Sequence, residues 1–205
     1  MALVQHLESQ KQTLFDRWAS VYDSLFPSVF YQASHQRLLD YVTLPDAATV
    51  LDLGCGTGKL LDRLAAQFSQ MQGTGLDFSA EMLQQARRAN RHRPRLLYVQ
   101  GHAEALPFAD AQFDAVFSSF SFLHYLNPVR VLQEVHRTLR RDGRFYLVDF
   151  SMGQRLESVY LPVSPGGIRF YPPAVREEMG QQVGLTCLAH YYLLGPVLLS
   201  VFTEG

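Results

Sequence analysis

The sequence predicts an α/β fold in which seven strands form a mostly parallel sheet with helices on both faces. From about residue 49 onward, short apolar runs alternate with amphipathic stretches, an order that implies right-handed crossovers between parallel strands. Two apolar segments near the C-terminus meet at Gly195-Pro196 and predict a closing antiparallel hairpin. Ligands of such sheets bind beyond the carboxyl ends of the strands, so functional residues are expected there.

Each element is predicted from apolar spacing and from the residues that begin or end it. The segment Arg141-Asp142-Gly143 is predicted to be a turn before the fifth strand. The first predicted helix runs from Leu60 to Phe68, and the second begins after an N-cap at Ser79. A third carries the apolar stripe of Val131, Val135 and Leu139, and the last begins at Pro172-Pro173 and ends at Gly184. The predicted strands are Thr49–Gly54, Gly75–Phe78, Leu96–Gln100, Phe113–Ser119, Arg144–Phe150, Thr186–Leu194 and Val197–Phe202.

Length and composition predict a single domain. The chain has 205 residues, enough for one well-packed domain, and 47% of them are hydrophobic. We divide it into an N-terminal helical lid at residues 1–41, a core at 49–150, and a C-terminal part at 151–205 with a short cap loop, the last helix and the strand pair. The formal net charge of −1 predicts no general affinity for nucleic acid.

The cysteines and the apolar segments indicate a cytoplasmic location. Cys55 and Cys187 lie far apart in different contexts, which argues against a disulfide framework or a metal site and fits a reducing compartment. The N-terminus has no basic stretch followed by an apolar run, so no secretory signal is expected. The most apolar segment, Leu193–Phe202, is interrupted by glycine and proline and is too short to cross a bilayer.

A loop with three glycines is the sharpest motif, in Asp52-Leu53-Gly54-Cys55-Gly56-Thr57-Gly58. A phosphate-binding P-loop is excluded because Leu60, rather than Ser or Thr, follows Lys59. A dinucleotide loop of the form G-x-G-x-x-G would require glycine at position 59, so that interpretation fits poorly. The third interpretation is a loop that resembles the S-adenosylmethionine loop, in which Asp52 helps to bind the ammonium group of the ligand through water.

Asp77 stands at the end of the next predicted strand, 25 residues after Asp52. This separation is what one helix and a return to the neighbouring strand require. A carboxylate at that place accepts hydrogen bonds from both hydroxyls of a ribose. Asp77 therefore predicts a nucleoside ligand, without distinguishing S-adenosylmethionine from a nicotinamide dinucleotide.

Several segments taken together resemble the class I S-adenosylmethionine-dependent methyltransferases, whose fold is Rossmann-like. Within that family they are most similar to the branch of the ubiquinone- and menaquinone-biosynthesis C-methyltransferases. The N-terminal segment from Phe15 to Asp23 is similar to this branch as well. The segments that carry the resemblance are Val50–Leu60, Gly75–Leu83, Gly101–Phe108, Phe113–Leu126 and Arg137–Phe150.

The resemblance implies a set of cofactor-binding residues, with S-adenosyl-L-methionine as cofactor and S-adenosyl-L-homocysteine as product. His102 replaces the aspartate of a segment that usually reads Asp-Ala-Glu, so the adenine would contact either its imidazole, which can accept a hydrogen bond from the amino group, or the Ala103 amide. The implied residues are Gly54, Cys55, Gly56 and Gly58 in the loop, Asp52 before it, Asp77 at the ribose, Phe78 and Met82 near the adenine, His102, Ala103 and Glu104 in the replaced segment, Ser118 and Ser119 under the methionine part, and Tyr22 closing over the cofactor.

The acceptor is expected to be a small molecule. The short cap loop and the apolar segment from Leu25 to Tyr31 favour a small or lipophilic acceptor with a quinone-like ring, and they allow peripheral membrane contact by the lid. The chain reads Ser118-Ser119-Phe120-Ser121 where enzymes that methylate amino groups of nucleic acids carry Asn/Asp-Pro-Pro-aromatic, so no nucleic-acid substrate is expected. Catalytic or substrate-binding candidates are His124, Tyr125, Arg169 and Tyr171.

Two other functions stay open from the sequence. Methyl transfer from a sulfonium depends mainly on proximity and orientation, so a general base is compatible with the reaction without being required. Because no base is certain, a non-catalytic subunit that binds the cofactor is the first alternative. A nicotinamide-dependent oxidoreductase, disfavoured by the glycine spacing, is the second. Oligomeric state is not predicted.

Overall fold

A computed structural model describes residues 7, 10, 11 and 13, then 26–153 and 157–204, with the backbone alone at 26–29. Residues 7, 10, 11 and 13 are helical. The helices are α1 (Phe26–Leu38), α2 (Lys59–Gln67), α3 (Ala80–Ala89), α4 (Pro128–Thr138) and α5 (Pro173–Gln182), with short 3₁₀ turns at Leu39–Tyr41 and Phe122–His124. The strands are β1 (Thr49–Leu53), β2 (Gln72–Asp77), β3 (Leu96–Gln100), β4 (Phe113–Ser119), β5 (Leu139–Phe150), β6 (Val159–Leu161), β7 (Ile168–Phe170), β8 (Leu185–Leu194) and β9 (Val197–Glu204).

One sheet contains seven of the strands, in the order β3-β2-β1-β4-β5-β9-β8. Strands β1 to β5 are parallel, β9 runs antiparallel to β5, and β8 runs antiparallel to β9. The predicted fold class, including the C-terminal hairpin, is therefore confirmed. The strand order reverses at β1 and β4, and the carboxyl ends of these two strands border the crevice where ligands of open α/β sheets bind.

Both faces of the sheet carry an apolar core, which explains why helices cover both. Val50 and Leu51 are adjacent in β1 and fully buried, yet they join different clusters because side chains alternate along a strand. The cluster with Val50 takes its helical side chains from α1, α2 and α3, and the cluster with Leu51 takes them from α4 and α5. The strands that carry the site are therefore packed against apolar side chains on both faces of the sheet.

Caps position the helices that border the crevice. The Ser79 hydroxyl accepts a hydrogen bond from the Met82 amide at 3.2 Å, and so confirms the predicted N-cap of α3. The Asn127 side chain caps α4 by accepting from the Arg130 amide at 3.1 Å. Helix α5 begins after Pro172 as predicted, and Gly184 with a φ of +87° follows its end.

The structure corrects the sequence prediction at several boundaries. Leu139 is not part of a helical stripe, because its ψ of 138° is extended and it begins β5. Strand β2 begins three residues before the predicted Gly75. The predicted cap loop contains the small antiparallel pair β6–β7. Tyr22 and the segment 15–23 lie outside the described residues, and within the described part no helix is long and apolar enough to span a membrane.

Candidate active site

The glycine loop joins β1 to α2 at the carboxyl end of the sheet. The amides of Gly54 and Cys55 both donate to the carbonyl of Leu76, at 2.8 and 3.0 Å, and thereby fix the loop against β2. Gly54 has a φ of +66°, and a Cβ there would lie 2.5 Å from the Cβ of Ser121. At Gly56, with a φ of +52°, no described atom lies within 4 Å of such a Cβ. The loop therefore presents bare backbone to an open space at Gly56.

The carboxylate of Asp77 connects this loop to the start of α3. One oxygen accepts a hydrogen bond from the Gly56 amide at 2.8 Å, and the other accepts from the Ser79 amide at 2.9 Å. The side chain is buried, and Asp77 also lines the cavity next to the loop. Two backbone amides thus orient a carboxylate toward the cavity, as the predicted contact with two ribose hydroxyls requires.

We call the cavity beside the loop the glycine-loop cavity; its volume is about 130 Å³. Phe78 and His102 border it, with their rings 6.4 Å apart at an interplanar angle of 37°. The turn from His102 to Ala105 closes through a hydrogen bond of 3.1 Å from the Ala105 amide to the His102 carbonyl. Of the predicted cofactor residues, those that line this cavity are Gly54, Gly56, Asp77, Phe78, Met82, His102, Ala103, Glu104 and Ser119.

A second cavity of about 60 Å³, which we call the Asp52 cavity, lies on the other side of the loop and shares its glycines. Asp52 and Cys55 line it. Burial, and then the neighbouring Asp77, raise the pKa of Asp52 well above its usual range. A positively charged group in this cavity would lower that pKa again and favour the carboxylate. The sequence prediction that Asp52 helps to bind an ammonium group is thus electrostatically consistent.

Two predicted cofactor residues lie outside both cavities. Gly58 packs against a side chain instead, because a Cβ there would lie 2.5 Å from the hydroxyl oxygen of Tyr98. Ser118 is fully buried, and its hydroxyl lies 2.8 Å from the hydroxyl of Ser121. Both residues pack within the framework of the site, in contrast to the residues that face open space, and their contact with the cofactor stays a prediction.

A chain of hydroxyl groups connects β1 to the turn after β4. Ser121 donates to the carbonyl of Leu53 at 2.8 Å, and Tyr125 donates to the Ser121 hydroxyl at 3.3 Å. Since the Ser121 hydrogen is used for Leu53, Ser118 is the donor in its contact with Ser121. Burial raises the pKa of Tyr125, so its phenol stays protonated at neutral pH. Tyr125 is consequently suited to positioning and unsuited to act as a base.

His124 faces the glycine-loop cavity together with a residue that sequence reasoning missed. Lys11 is 5% exposed, lines the same cavity, and donates from Nζ to the carbonyl of Gly167 at 3.2 Å and to the carbonyl of His124. Burial lowers the pKa of Lys11 to about 8. Burial and Lys11 lower the pKa of His124 to about 3, so this imidazole is neutral at physiological pH. Of the two groups, Lys11 has a pKa closer to neutral pH than His124 does, and so Lys11 is the better candidate for proton transfer.

Arg169 and Tyr171 line a third cavity, of about 320 Å³, between the pair β6–β7 and helices α4 and α5. We call it the hairpin cavity. Its wall combines apolar side chains, among them Leu123, Ile168 and Met179, with polar surface of about the same extent. The Arg169 guanidinium lies 5.7 Å from the ring centre of Tyr160, and burial raises the pKa of Tyr171 to about 12. Tyr125 and Leu126 line both this cavity and the glycine-loop cavity.

His35 of α1 is a further polar residue that the sequence did not reveal. Its Nε2 lies 2.8 Å from the hydroxyl of Ser119, which borders both cavities beside the loop. Its Nδ1 has no hydrogen-bond partner among the described residues, although His35 lines the Asp52 cavity. Burial and Arg63 lower its pKa to about 3. A lone histidine in an amphipathic stretch carries no signal for such a contact, which spans 84 positions of the sequence.

Similar proteins of known family identify the chain. Residues 51–147 match the family described as Methyltransferase domain. The chain is 32% identical to the 2-phytyl-1,4-naphtoquinone methyltransferase of Thermosynechococcus vestitus, over 91% of this chain and 95% of that protein. The chain belongs to the class I S-adenosylmethionine-dependent methyltransferases, in the branch of the quinone methyltransferases. This methyltransferase is also 32% identical to the demethylmenaquinone methyltransferase of Thermotoga maritima. The match covers 66% of this chain and 59% of the Thermotoga protein.

Solved structures share the fold of this methyltransferase. A chain from the complex of the Haloferax volcanii Trm112 methyltransferase activator with a methyltransferase has a TM-score of 0.81 and 22% identity, covering 93% of this chain and 97% of that chain. A SAM-dependent methyltransferase from Aquifex aeolicus has a TM-score of 0.73 and 19% identity, covering 92% and 97%. At these identities the likeness establishes the architecture alone.

The residues of this methyltransferase fit its cofactor at each chemically distinct group. Bare backbone at Gly56 leaves room for a bulky ligand, and the carboxylate of Asp77 is already oriented by two amides. Asp52 can neutralise an ammonium group, and the apolar side chain of Met82 faces the place expected for the adenine.

Proposed function

We propose that this methyltransferase transfers a methyl group from S-adenosylmethionine to a small lipophilic acceptor with a quinone- or quinol-like ring. The observation that carries the proposal is the shared wall of two cavities. Tyr125 and Leu126 border both the glycine-loop cavity and the hairpin cavity. The names of the relatives from Thermosynechococcus vestitus and Thermotoga maritima, both quinone methyltransferases, support a ring of this kind.

We propose that the cofactor lies across the glycine loop, between the two cavities beside it. In this arrangement Asp77 binds the ribose, Phe78, Met82 and the turn from His102 to Glu104 surround the adenine, and Asp52 faces the ammonium group. The cofactor supplies an activated methyl group when it is bound. The protein's own contribution is to fix orientation, because nucleophilic displacement depends on a near-attack alignment of the reacting atoms.

We place the acceptor ring in the hairpin cavity, against Tyr125. A phenolic hydroxyl of a quinol must lose its proton, or share it, as the adjacent ring carbon becomes nucleophilic. Once that carbon has taken the methyl group from sulfur, its own hydrogen must leave as a proton to restore the aromatic ring. Lys11, whose pKa is about 8, is the group that we propose to accept or polarise this proton, with neutral His124 beside it. Arg169 and Tyr171 would orient the ring from the far wall.

The rim of the hairpin cavity supports peripheral membrane contact as part of this proposal. Tyr160, Leu161 and Val163, in and just after β6, are 50%, 38% and 70% exposed. A long apolar tail on the acceptor would leave the cavity at this rim, and exposed apolar side chains would share its lipid environment. We also propose a cytoplasmic location, in which the free thiols of Cys55 and Cys187 stay reduced.

The test is a methylation assay with purified protein, S-adenosylmethionine and a reduced demethylated naphthoquinol, read by mass spectrometry of the ring product. The oxidised quinone serves as the matched control, because it lacks the hydroxyl that activates the ring carbon. We expect methylation of the quinol alone. Binding of S-adenosylhomocysteine without turnover on any quinol would refute the acceptor and favour a non-catalytic subunit, and a preference for NADH would refute the cofactor.

A further inference from the structure

Three potential metal ligands meet between α5 and β8, away from the cavities. Glu177 lies on α5, and Cys187 and His190 lie on β8. Their ligand atoms all lie within 4.8 Å of one another. The Cys187 sulfur is 3.6 Å from Nε2 of His190, and that nitrogen is 2.9 Å from a carboxylate oxygen of Glu177.

An irregularity in β8 brings two of these side chains together. Residues three apart on a regular strand point to opposite faces, so Cys187 and His190 would be separated by the sheet. The pairing of β8 with β9 shifts register between Cys187 and Ala189, and this bulge turns His190 to the face that carries Cys187. Bulges of this kind redirect side chains next to functional sites.

The second nitrogen of His190 is already held in the manner of a metal ligand. Nδ1 lies 2.9 Å from the hydroxyl of Ser200, the residue paired with His190 across β9. Ser200 is fully buried and also accepts from Arg176 at 3.2 Å. Its second lone pair can therefore accept the Nδ1 hydrogen, which leaves Nε2 as a lone-pair donor toward Cys187 and Glu177.

We infer that Glu177, Cys187 and His190 form a binding site for one zinc-like divalent cation, with solvent as the fourth ligand. Sulfur, imidazole and carboxylate are the ligands that tetrahedral zinc takes in proteins, whereas magnesium and calcium require oxygen. Zinc bond lengths place tetrahedral sulfur and nitrogen ligands about 3.5 Å apart, close to the separation found here. Oxygen and nitrogen ligands would be about 3.3 Å apart, so Glu177 must withdraw by a few tenths of an ångström.

The charges are compatible with a dication at this position. The carboxylate of Glu177 and the thiol of Cys187 are the two ligand groups that can carry negative charge. Burial and the nearby Glu177 raise the pKa of that thiol to about 11. A bound cation would displace the thiol proton, so that one carboxylate and one thiolate neutralise it. Another charge near this position is the guanidinium of Arg176, which is attracted electrostatically to the buried carboxyl group of Asp149.

The site is separate from methyl transfer and connects the last helix to the sheet. Val175 and Met179 line the hairpin cavity, and Glu177, two residues from each, lies on the opposite side of α5. The inference therefore does not depend on the proposed function. It gives a role to a cysteine for which the sequence, with two cysteines far apart, predicted no metal.

Cobalt binding tests the site without reference to activity. The full chain, freed of any affinity tag and of metal by a chelator, is titrated with Co²⁺. We expect one equivalent to produce a thiolate-to-cobalt charge-transfer band with the intense visible bands of four-coordinate cobalt, and zinc to abolish both. Cys187→Ala should lose the charge-transfer band, whereas the matched variant Cys55→Ala should keep it. Glu177→Gln, altered at a side chain that is 45% exposed, should weaken cobalt binding at least tenfold.

Thermal unfolding with one equivalent of zinc provides the second measurement. Zinc should raise the melting temperature of the wild-type chain and of Cys55→Ala, and should leave Cys187→Ala and His190→Ala unchanged. The inference is overturned by the absence of a charge-transfer band in the wild-type chain, by a band that survives Cys187→Ala, or by one that disappears with Cys55→Ala. Circular dichroism of each variant ensures that a lost band is not a lost fold.

Discussion

Replacing Asp77 with alanine tests the cofactor site most directly. In the proposed complex its carboxylate accepts hydrogen bonds from two ribose hydroxyls. A hydrogen bond to a charged group contributes about 1.5–3 kcal/mol. Loss of both, partly compensated by water that enters the vacated space, should cost about 3 kcal/mol of binding free energy. This corresponds to S-adenosylhomocysteine binding that is weaker by about 100-fold. Asp77→Asn keeps one acceptor oxygen and should be intermediate.

Calorimetric titration with S-adenosylhomocysteine measures this effect, and Asp114→Ala is the matched control. Asp114 also accepts a backbone hydrogen bond, from the Thr49 amide at 2.7 Å, but at the amino end of the sheet, away from the cavities. Both alanine variants should lower the melting temperature, because each leaves backbone amides without their carboxylate. Only Asp77→Ala should weaken binding. A loss below about fivefold, or an equal loss in Asp114→Ala, would refute the assignment of Asp77 to the ribose.

Further predictions concern stability and proton transfer. Arg176→Met should destabilise the fold by about 3–5 kcal/mol in urea unfolding, because this buried guanidinium donates to main-chain oxygens of β5 and β9; an effect below 1 kcal/mol would contradict it. Gly58→Ala should cost about 1–3 kcal/mol from its φ of +79° and its contact with Tyr98, and adding Tyr98→Phe should restore part of the loss. The pKa of His35 falls from 6.5 to about 3 on folding, so the unfolded chain takes up a proton first as pH drops below 6.5 and stability declines. His35→Asn should reduce the slope of unfolding free energy between pH 4 and 6 by up to about 1.4 kcal/mol per pH unit, and an unchanged slope would show that this imidazole titrates in the folded state. If Lys11 acts as its neutral amine, kcat should rise as pH passes through 8, and Lys11→Met should remove that rise while binding S-adenosylhomocysteine normally.

The glycine loop was predictable from sequence because its chemistry is local. Gly54, Gly56 and Asp77 are fixed by the turn after β1 and by the strand beside it, so their spacing carries the geometry. Strands β3 and β4 match their predicted bounds because each is built around a short apolar run, Leu96–Val99 in β3 and Ala115–Phe117 in β4. The first half of β2, Gln72-Gly73-Thr74, has no apolar residue, and pairing with β1 and β3 places it in the sheet.

The rest of the site depends on contacts that no local pattern encodes. Lys11 reaches the carbonyl of His124 across 113 positions, and nothing near Lys11 in sequence indicates a buried amine. Strands β6 and β7 have three residues each, too few for a two-residue period to be recognised, yet they enclose the hairpin cavity. The predicted candidates Arg169 and Tyr171 line that cavity together, although no local spacing pattern indicates that they face the same space.

The position of Tyr125 has a thermodynamic consequence for the binding of cofactor and acceptor. Its side chain borders both cavities, and its hydroxyl is tied through Ser121 to the last carbonyl of β1, directly before the glycine loop. A ligand in either cavity therefore alters the wall that a ligand in the other cavity contacts. Linkage requires the effect to be mutual: the factor by which cofactor changes acceptor affinity equals the factor by which acceptor changes cofactor affinity. Methyl transfer alters both occupants at once, so we expect the affinities for the two products to be coupled in the same way.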